Sequence, residues 1–329
     1  MEIGKLPNEV LQKIVLDNIK FKREEVLIHA GIGEDCAVLD FGEKGCIVSS
    51  DPITGATKNI GKLAVNISCN DIAASGGEPI GIVITMLIPP TATIKDIEEV
   101  MRDAGNEASR LNVEIIGGHT EVTDVVNKMV LVTTVIGSQE KSKIMGLGEN
   151  IEPGDKVIMT KYVGIEGTSI MAHDLEDRLK GSISEELIEE AKSLTKFISV
   201  VKDGKIATDN GAKYMHDITE GGLLGAAWEA AIANNAGIVL YEDSIPILQS
   251  TKDISQYLGI NYLKLISSGS MLIFASEEKS DDIIKGLEKE NIKGTIIGEI
   301  TEKKSIILKS REGDIDIKPP RSDEIYKVI

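Results

Sequence analysis

Residues 80–116, IGIVITMLIPPTATIKDIEEVMRDAGNEASRLNVEII, carry two β-branched runs on either side of a helical repeat. Ile94, Ile97, Val100, Met101, Ala104, Ala108 and Leu111 recur at helical spacing behind Thr93, a hydroxyl residue suited to capping a helix start. The flanks, 80–88 and 113–116, read as strands, as do 46–50 and 129–136, each bounded by Gly, Pro or Asp. A mixed α/β or α+β layer follows. Beyond Gly137 a polar stretch and the turn Glu152-Pro153-Gly154-Asp155 precede another strand at 156–160, which puts a domain boundary near residue 150. With 329 residues, the chain is expected to form two domains, 1–150 and 151–329.

The second half repeats this style, with helices expected at 168–178, 184–203, 219–235 and 277–290 and strands at 294–300 and 305–308. The tail PPRSDEIYKVI suits a short docked helix capped by Ser322.

Composition narrows the function. Hydrophobic residues make up 42% and aromatics only 3%, so the core is aliphatic. A formal charge of −17 repels nucleic acid and anionic membranes. No apolar run approaches the ~20 residues of a membrane span, and the N-terminus lacks a basic segment followed by an apolar one. Cys36, Cys46 and Cys69 are odd in number and share no metal-type spacing. A reducing cytoplasm is expected.

The 32 glycines cluster beside acidic residues. Asp35 follows Gly31-Ile32-Gly33-Glu34, and Asp51 closes a strand; both are placed for Mg²⁺, although acidic turns have the same composition. Asn66, Asn70 and Asp71 interrupt an apolar helix ended by Gly76 and Gly77, so each requires a partner or a solvent-facing position. Gly117-Gly118-His119-Thr120-Glu121 offers flexible backbone, a hydroxyl and a carboxylate, or an ordinary glycine turn. Lys161, Gly164, Glu166 and Gly167 lie between a strand and a helix, where free N–H groups and the macrodipole favour an anion. Asp217, Thr219, Glu220, Gly221 and Gly222 open the next helix, with capping as the plainer role.

Together GIGEDCAV, SSDPITG, NDIAASG, GGHTEVT, TKYVGIEGT, HDITEGG and ISSGS, in this order over residues 31–270, resemble the AIR synthase-like ATP-binding superfamily. The wording looks most like hydrogenase maturation protein HypE and its AIR synthase-related paralogues. The resemblance implies a two-domain α/β fold, an N-terminal sheet that forms a barrel across a homodimer, and ATP with Mg²⁺ at that interface. It implies Asp35, Asp51, Asp71 and Glu121 as metal ligands and Lys161, Glu121 and Asp217 as catalytic groups. Asn66, Asn70, Gly117, Gly118, His119, Thr120, Gly164, Glu166, Gly167 and Thr219 to Gly222 would line the nucleotide. HypE reacts through a C-terminal cysteine, whereas this sequence has none after Cys69. The expected activity is therefore ATP-dependent activation of a carboxamide-type oxygen on a separate small-molecule or protein-borne substrate, in hydrogenase or other metalloenzyme maturation. The alternative is a non-catalytic ATP-binding regulatory or partner paralogue.

Overall fold

The computed structural model describes residues 6–54, 59–319 and 322–329; Glu2 and Lys5 of the N-terminus, Gly55 of SSDPITG and Pro320 of the tail lie outside them. After α1 (Asn8–Ile14) come β1 (Val26–Ile28), β2 (Ala37–Phe41), β3 (Lys44–Ile53), α2 (Ile60–Ala74), β4 (Glu78–Ile88), α3 (Ile94–Arg110), β5 (Glu114–Val122) and β6 (Val130–Glu140). The strands form one sheet in the order β1-β2-β3-β6-β4-β5, antiparallel except for the parallel pair β4/β5 that α3 connects. Thr93 starts α3 through a reciprocal cap: its Oγ1 accepts from the Asp96 N–H, and Asp96 Oδ2 accepts from the Thr93 N–H at 2.7 Å.

The chain continues through β7 (Lys156–Thr160), α4 (Ile165–Asp174), α5 (Glu176–Leu179), α6 (Glu185–Lys192), α7 (Val201–Asp209), β8 (Tyr214–Asp217) and α8 (Gly222–Ala233). It ends with β9 (Gly237–Tyr241), α9 (Gln249–Leu258), β10 (Met271–Ala275), α10 (Glu277–Lys289), β11 (Gly294–Thr301), β12 (Ile306–Ser310) and β13 (Gly313–Asp316). These strands build a seven-stranded mixed sheet, β13-β12-β9-β11-β7-β10-β8. The two-sheet α/β architecture expected from the sequence is present.

Helix α2 sits between the two halves, touching β3 and β6 on one side and α7 and β8 on the other. That position explains why it is apolar nearly all round. Gly61 lets α3 approach, since a Cβ there would lie 2.2 Å from the Val100 carbonyl oxygen. Its polar residues are satisfied inside the protein: Asn66 Nδ2 donates to Glu107 Oε1 at 2.7 Å, Ser68 meets Thr133, and Asn70 accepts from the Val200 N–H while donating to the Ile198 carbonyl. Asn66 and Asn70, expected beside a nucleotide, thus brace α2 against its neighbours.

Three local expectations change. Residues 184–203 do not form one helix; a 3-10 turn, Ser193–Phe197, separates α6 from α7. Gly117 to Glu121 belong to β5 and do not form a loop: Gly118 pairs with Ile84, where a Cβ would stand 1.9 Å from the Ile84 carbonyl oxygen. Asp323, and not Ser322, caps the tail, which forms a 3-10 turn at Glu324–Lys327.

Candidate functional site

Four aspartates from separate elements meet between the sheets. Asp35, His216 and Asp217 place possible ligand atoms within 4.8 Å of one another. Ser49 Oγ lies 2.5 Å from Asp71 Oδ2 and 3.1 Å from Asp51 Oδ2, joining β3 to α2. Burial pushes the Asp71 carboxyl well above the usual carboxylate range, and the charges of Asp217, Asp51 and Asp35 push it further. After burial these nearby charges are the next causes, so the carboxylates of Asp217, Asp51 and Asp35 lie near Asp71.

His216 is the adjacent base. Its Nδ1 stands 2.7 Å from the Asp217 carbonyl oxygen, which only accepts, so Nδ1 carries a proton. Nε2 faces Glu229 at 3.6 Å, and Asp35 lies 3.6 Å from Nδ1. Burial alone lowers the imidazole pKa, but Asp35, Glu229 and Asp217 outweigh it and leave it raised. His216 opens the HDITEGG loop expected to line the site, whereas Ser49 and Glu229 had no expected role. Glu229 did carry a signal, being the one charged residue in LLGAAWEAAIA.

A cluster of hard oxygen donors with a buried excess of negative charge fits a divalent cation such as Mg²⁺. Asp35, Asp51, Asp71 and Asp217 are the residues that would hold it. Glu121, the fourth metal ligand expected from the sequence, lies elsewhere on exposed β5, its carboxylate 3.2 Å from His119 Nε2. Thr120 is exposed on the same strand.

Lys161 was expected to face a transferring phosphoryl group. Instead, its buried ammonium donates to the Ser199 carbonyl at 2.8 Å and the Gly269 carbonyl at 2.9 Å, and pairs with Asp203 at 2.8 Å. Two carbonyls accept from the ammonium, and the Asp203 carboxylate neutralises it.

Glycine N–H groups at both glycine-rich helix starts also bond within the chain. The Gly164 N–H donates to Ser267 Oγ at 2.7 Å, and the Gly167 N–H to the Ile266 carbonyl at 3.0 Å. A Cβ on Gly167 would lie 2.5 Å from Leu265, so close packing accounts for this glycine. At α8 the Gly222 N–H donates to the Thr219 carbonyl, while the Gly221 N–H donates to Asp323 Oδ2 at 2.7 Å. The anion at this helix start is the chain's own tail.

Asp323 brings a second carboxyl group close to Glu166. Burial raises Glu166 to about 7, against hydrogen bonds from Ser268, and raises Asp323 to about 6, against backbone N–H donors including Gly221; Glu220 adds repulsion to both. A carboxyl whose pKa rises on folding binds more protons folded than unfolded, so stability falls as pH climbs from about 4 to about 7 and then levels. Glu166→Gln should remove much of this slope, on the order of 3 kcal/mol at 1.4 kcal/mol per pKa unit. Urea midpoints at pH 5 and pH 8 measure it: the variant should gain on the wild type at pH 8, and parallel profiles would refute the assignment.

Comparison with known proteins places this geometry in context. Residues 33–139 match the family profile described as AIR synthase related protein, N-terminal domain, and residues 152–310 match the corresponding C-terminal domain. A putative hydrogenase expression/formation protein of Methanocaldococcus jannaschii is 27% identical over 99% of this chain and 97% of its own length. Carbamoyl dehydratase HypE of Escherichia coli is 24% identical over 78% of this chain and 75% of its own. The crystal structure of a HypE in complex with ATP superposes with a TM-score of 0.71 at 19% identity, covering 98% of this chain and 97% of that one.

Proposed function

This chain belongs to the AIR synthase-related family, and we propose on that basis that it is an ATP-dependent enzyme activating a carboxamide-type oxygen of a separate substrate. The observation that carries this reading is the cluster of Asp35, His216 and Asp217, with Asp51 and Asp71 joined through Ser49 close by. Mg²⁺ held there would screen the charge of ATP phosphates and of the phosphoryl group in transfer. Ser49 orients Asp51 and Asp71, and His216, fixed by the Asp217 carbonyl, holds a proton at Nδ1 and offsets part of the negative charge. All three cysteines are buried. Burial raises all three thiols, Cys36 far up and Cys69 to about 12 with the Asp71 charge as the next cause, so none of them suits an acceptor thiolate.

The similarity to HypE and to the hydrogenase expression/formation protein supports a carboxamide substrate in metalloenzyme maturation. The experiment is ADP formation from Mg·ATP across a panel of carboxamide-bearing compounds and carbamoylated peptides. Stimulation by one class supports the enzyme; tight nucleotide binding with no ADP from any of them favours a non-catalytic regulatory paralogue.

The domain boundary is proposed near residue 150, between β6 and β7. No helix among the described residues is long and apolar enough to cross a membrane, and a cytoplasmic location is part of the proposal. A homodimer is proposed through the first sheet, whose edge strand β5 leaves Ile116 50% and Val122 63% exposed, with Val125 beyond it at 79%. Such an uncovered edge invites pairing with a second copy. Light scattering should give twice the 35.4 kDa chain mass, and Val122→Lys should shift it to monomer; a wild-type monomer at micromolar concentration contradicts the interface.

A further inference from the structure

A cavity of about 520 Å³ opens where the ends of α2 and α3 meet the start of α7. None of Asp35, Asp51, Asp71, His216 and Asp217 lines it. Its volume falls within the range of small-molecule sites. Its charge is opposite to that of the protein: five basic residues line it against the carboxylates of Glu78, Asp203 and Asp209, although the whole chain carries 53 acidic and 36 basic side chains.

Lys161 and Asp203 neutralise each other in its floor. Around the rim stand Arg110, Lys196, Lys202 and Lys205. Arg110 is held by the buried Glu107 carboxylate, whereas Lys202 pairs with Glu290 and Lys205 with Asp209 through cations that are more than half exposed and so weakly held. Lys196 has no carboxylate partner among the described residues; its ammonium rests 4.9 Å from the centre of the Phe197 ring. A buried hydroxyl borders the cavity. Thr208 lines the same cavity, is 8% exposed, and its buried Oγ1 has no hydrogen-bond partner. A buried hydroxyl left unmatched is costly, and an anionic oxygen would accept from it. Leu111, Phe197 and Ile292 supply an apolar wall.

We propose that this cavity binds a small phosphate-bearing anion at a site separate from the aspartate cluster. The exposed ammonium groups of Lys196, Lys202 and Lys205 match the several acceptor oxygens of a phosphate, and the apolar wall suits a short organic body. The assignment does not depend on the proposed ATP chemistry.

Calorimetric titration of the full chain with phenyl phosphate and with inorganic phosphate, in buffer containing a chelator, tests it. Without divalent cations the aspartate cluster repels both probes. Saturable one-to-one binding is expected, weakened at least tenfold in Lys196→Gln/Lys205→Gln, whose exposed positions leave folding intact, and weakened also in Thr208→Val. Asp71→Asn should bind as the wild type does. Phenyl phosphate binding more tightly than phosphate supports an organic phosphate as the ligand, and equal binding supports the free anion. Absence of saturation up to ~10 mM, an affinity weaker than about −2.7 kcal/mol, or unchanged binding in the double variant overturns the site.

Discussion

Lys161→Met is expected to destabilise the protein by about 3–5 kcal/mol, the usual cost of leaving a buried charge without its partner. Asp203 is 1% exposed and its carboxylate meets the Lys161 ammonium at 2.8 Å. Methionine fills similar space but leaves that carboxylate uncompensated and removes the donor from the carbonyls of Ser199 and Gly269. Burial lowers the Lys161 pKa while Asp203 raises it, as expected of a desolvated pair that depends on both members. Lys161→Met/Asp203→Asn should therefore recover much of the loss, giving a coupling energy of one to a few kcal/mol in a double-mutant cycle. Denaturant midpoints for the four proteins give the result. If Lys161→Met instead stays within about 1 kcal/mol of wild type while ADP formation disappears, Lys161 acts on the phosphates after all and the clamp is incidental.

The unit over residues 80–116 was legible because periodicity, the Thr93 cap and the proline stop all agree locally. What was not legible depends on distant partners. Residues 198–200 leave the helical pattern where Asn70 binds the Ile198 carbonyl and the Val200 N–H, and a hydrogen bond across the fold replaces the helical one. The glycines of β5 looked like a loop because glycine marks turns, yet Gly118 is there to let a parallel neighbour approach. Ser322 and Asp323 are both good caps; the choice falls to Asp323 because its carboxylate also reaches Gly221. In the site, Asp35, Asp51, Asp71 and Asp217 stood out as carboxylates beside glycines or within apolar segments. The role of Lys161 did not, since Asp203 reads locally as an ordinary helix carboxylate until the fold brings it to the ammonium. Of the N–H groups inferred to be free at α4 and α8, those of Gly164, Gly167, Gly221 and Gly222 are taken by loop and tail residues.

Asp71→Asn should reduce Mg²⁺-dependent ATP affinity at least 100-fold, about 2.7 kcal/mol, without lowering the stability of the metal-free protein. The two halves of this expectation have separate causes. Asn keeps the size of the side chain and an oxygen that accepts from Ser49 Oγ, so the link between β3 and α2 survives. It also removes a potential negative charge from a buried site already shared with Asp51, Asp35 and Asp217, whose charges disfavour an ionised Asp71. The metal-free variant should thus melt at or above the wild-type temperature. With Mg²⁺ and ATP the order reverses, because ligand at 100 times its dissociation constant adds about 2.7 kcal/mol to the wild type and nearly nothing to a variant that no longer binds. Thermal melts with and without Mg·ATP, beside calorimetry, separate the two causes. A variant that melts lower without metal and keeps its Mg²⁺ response would make Asp71 a structural acid held by Ser49, and the cation would have to be placed on Asp35, Asp51 and Asp217.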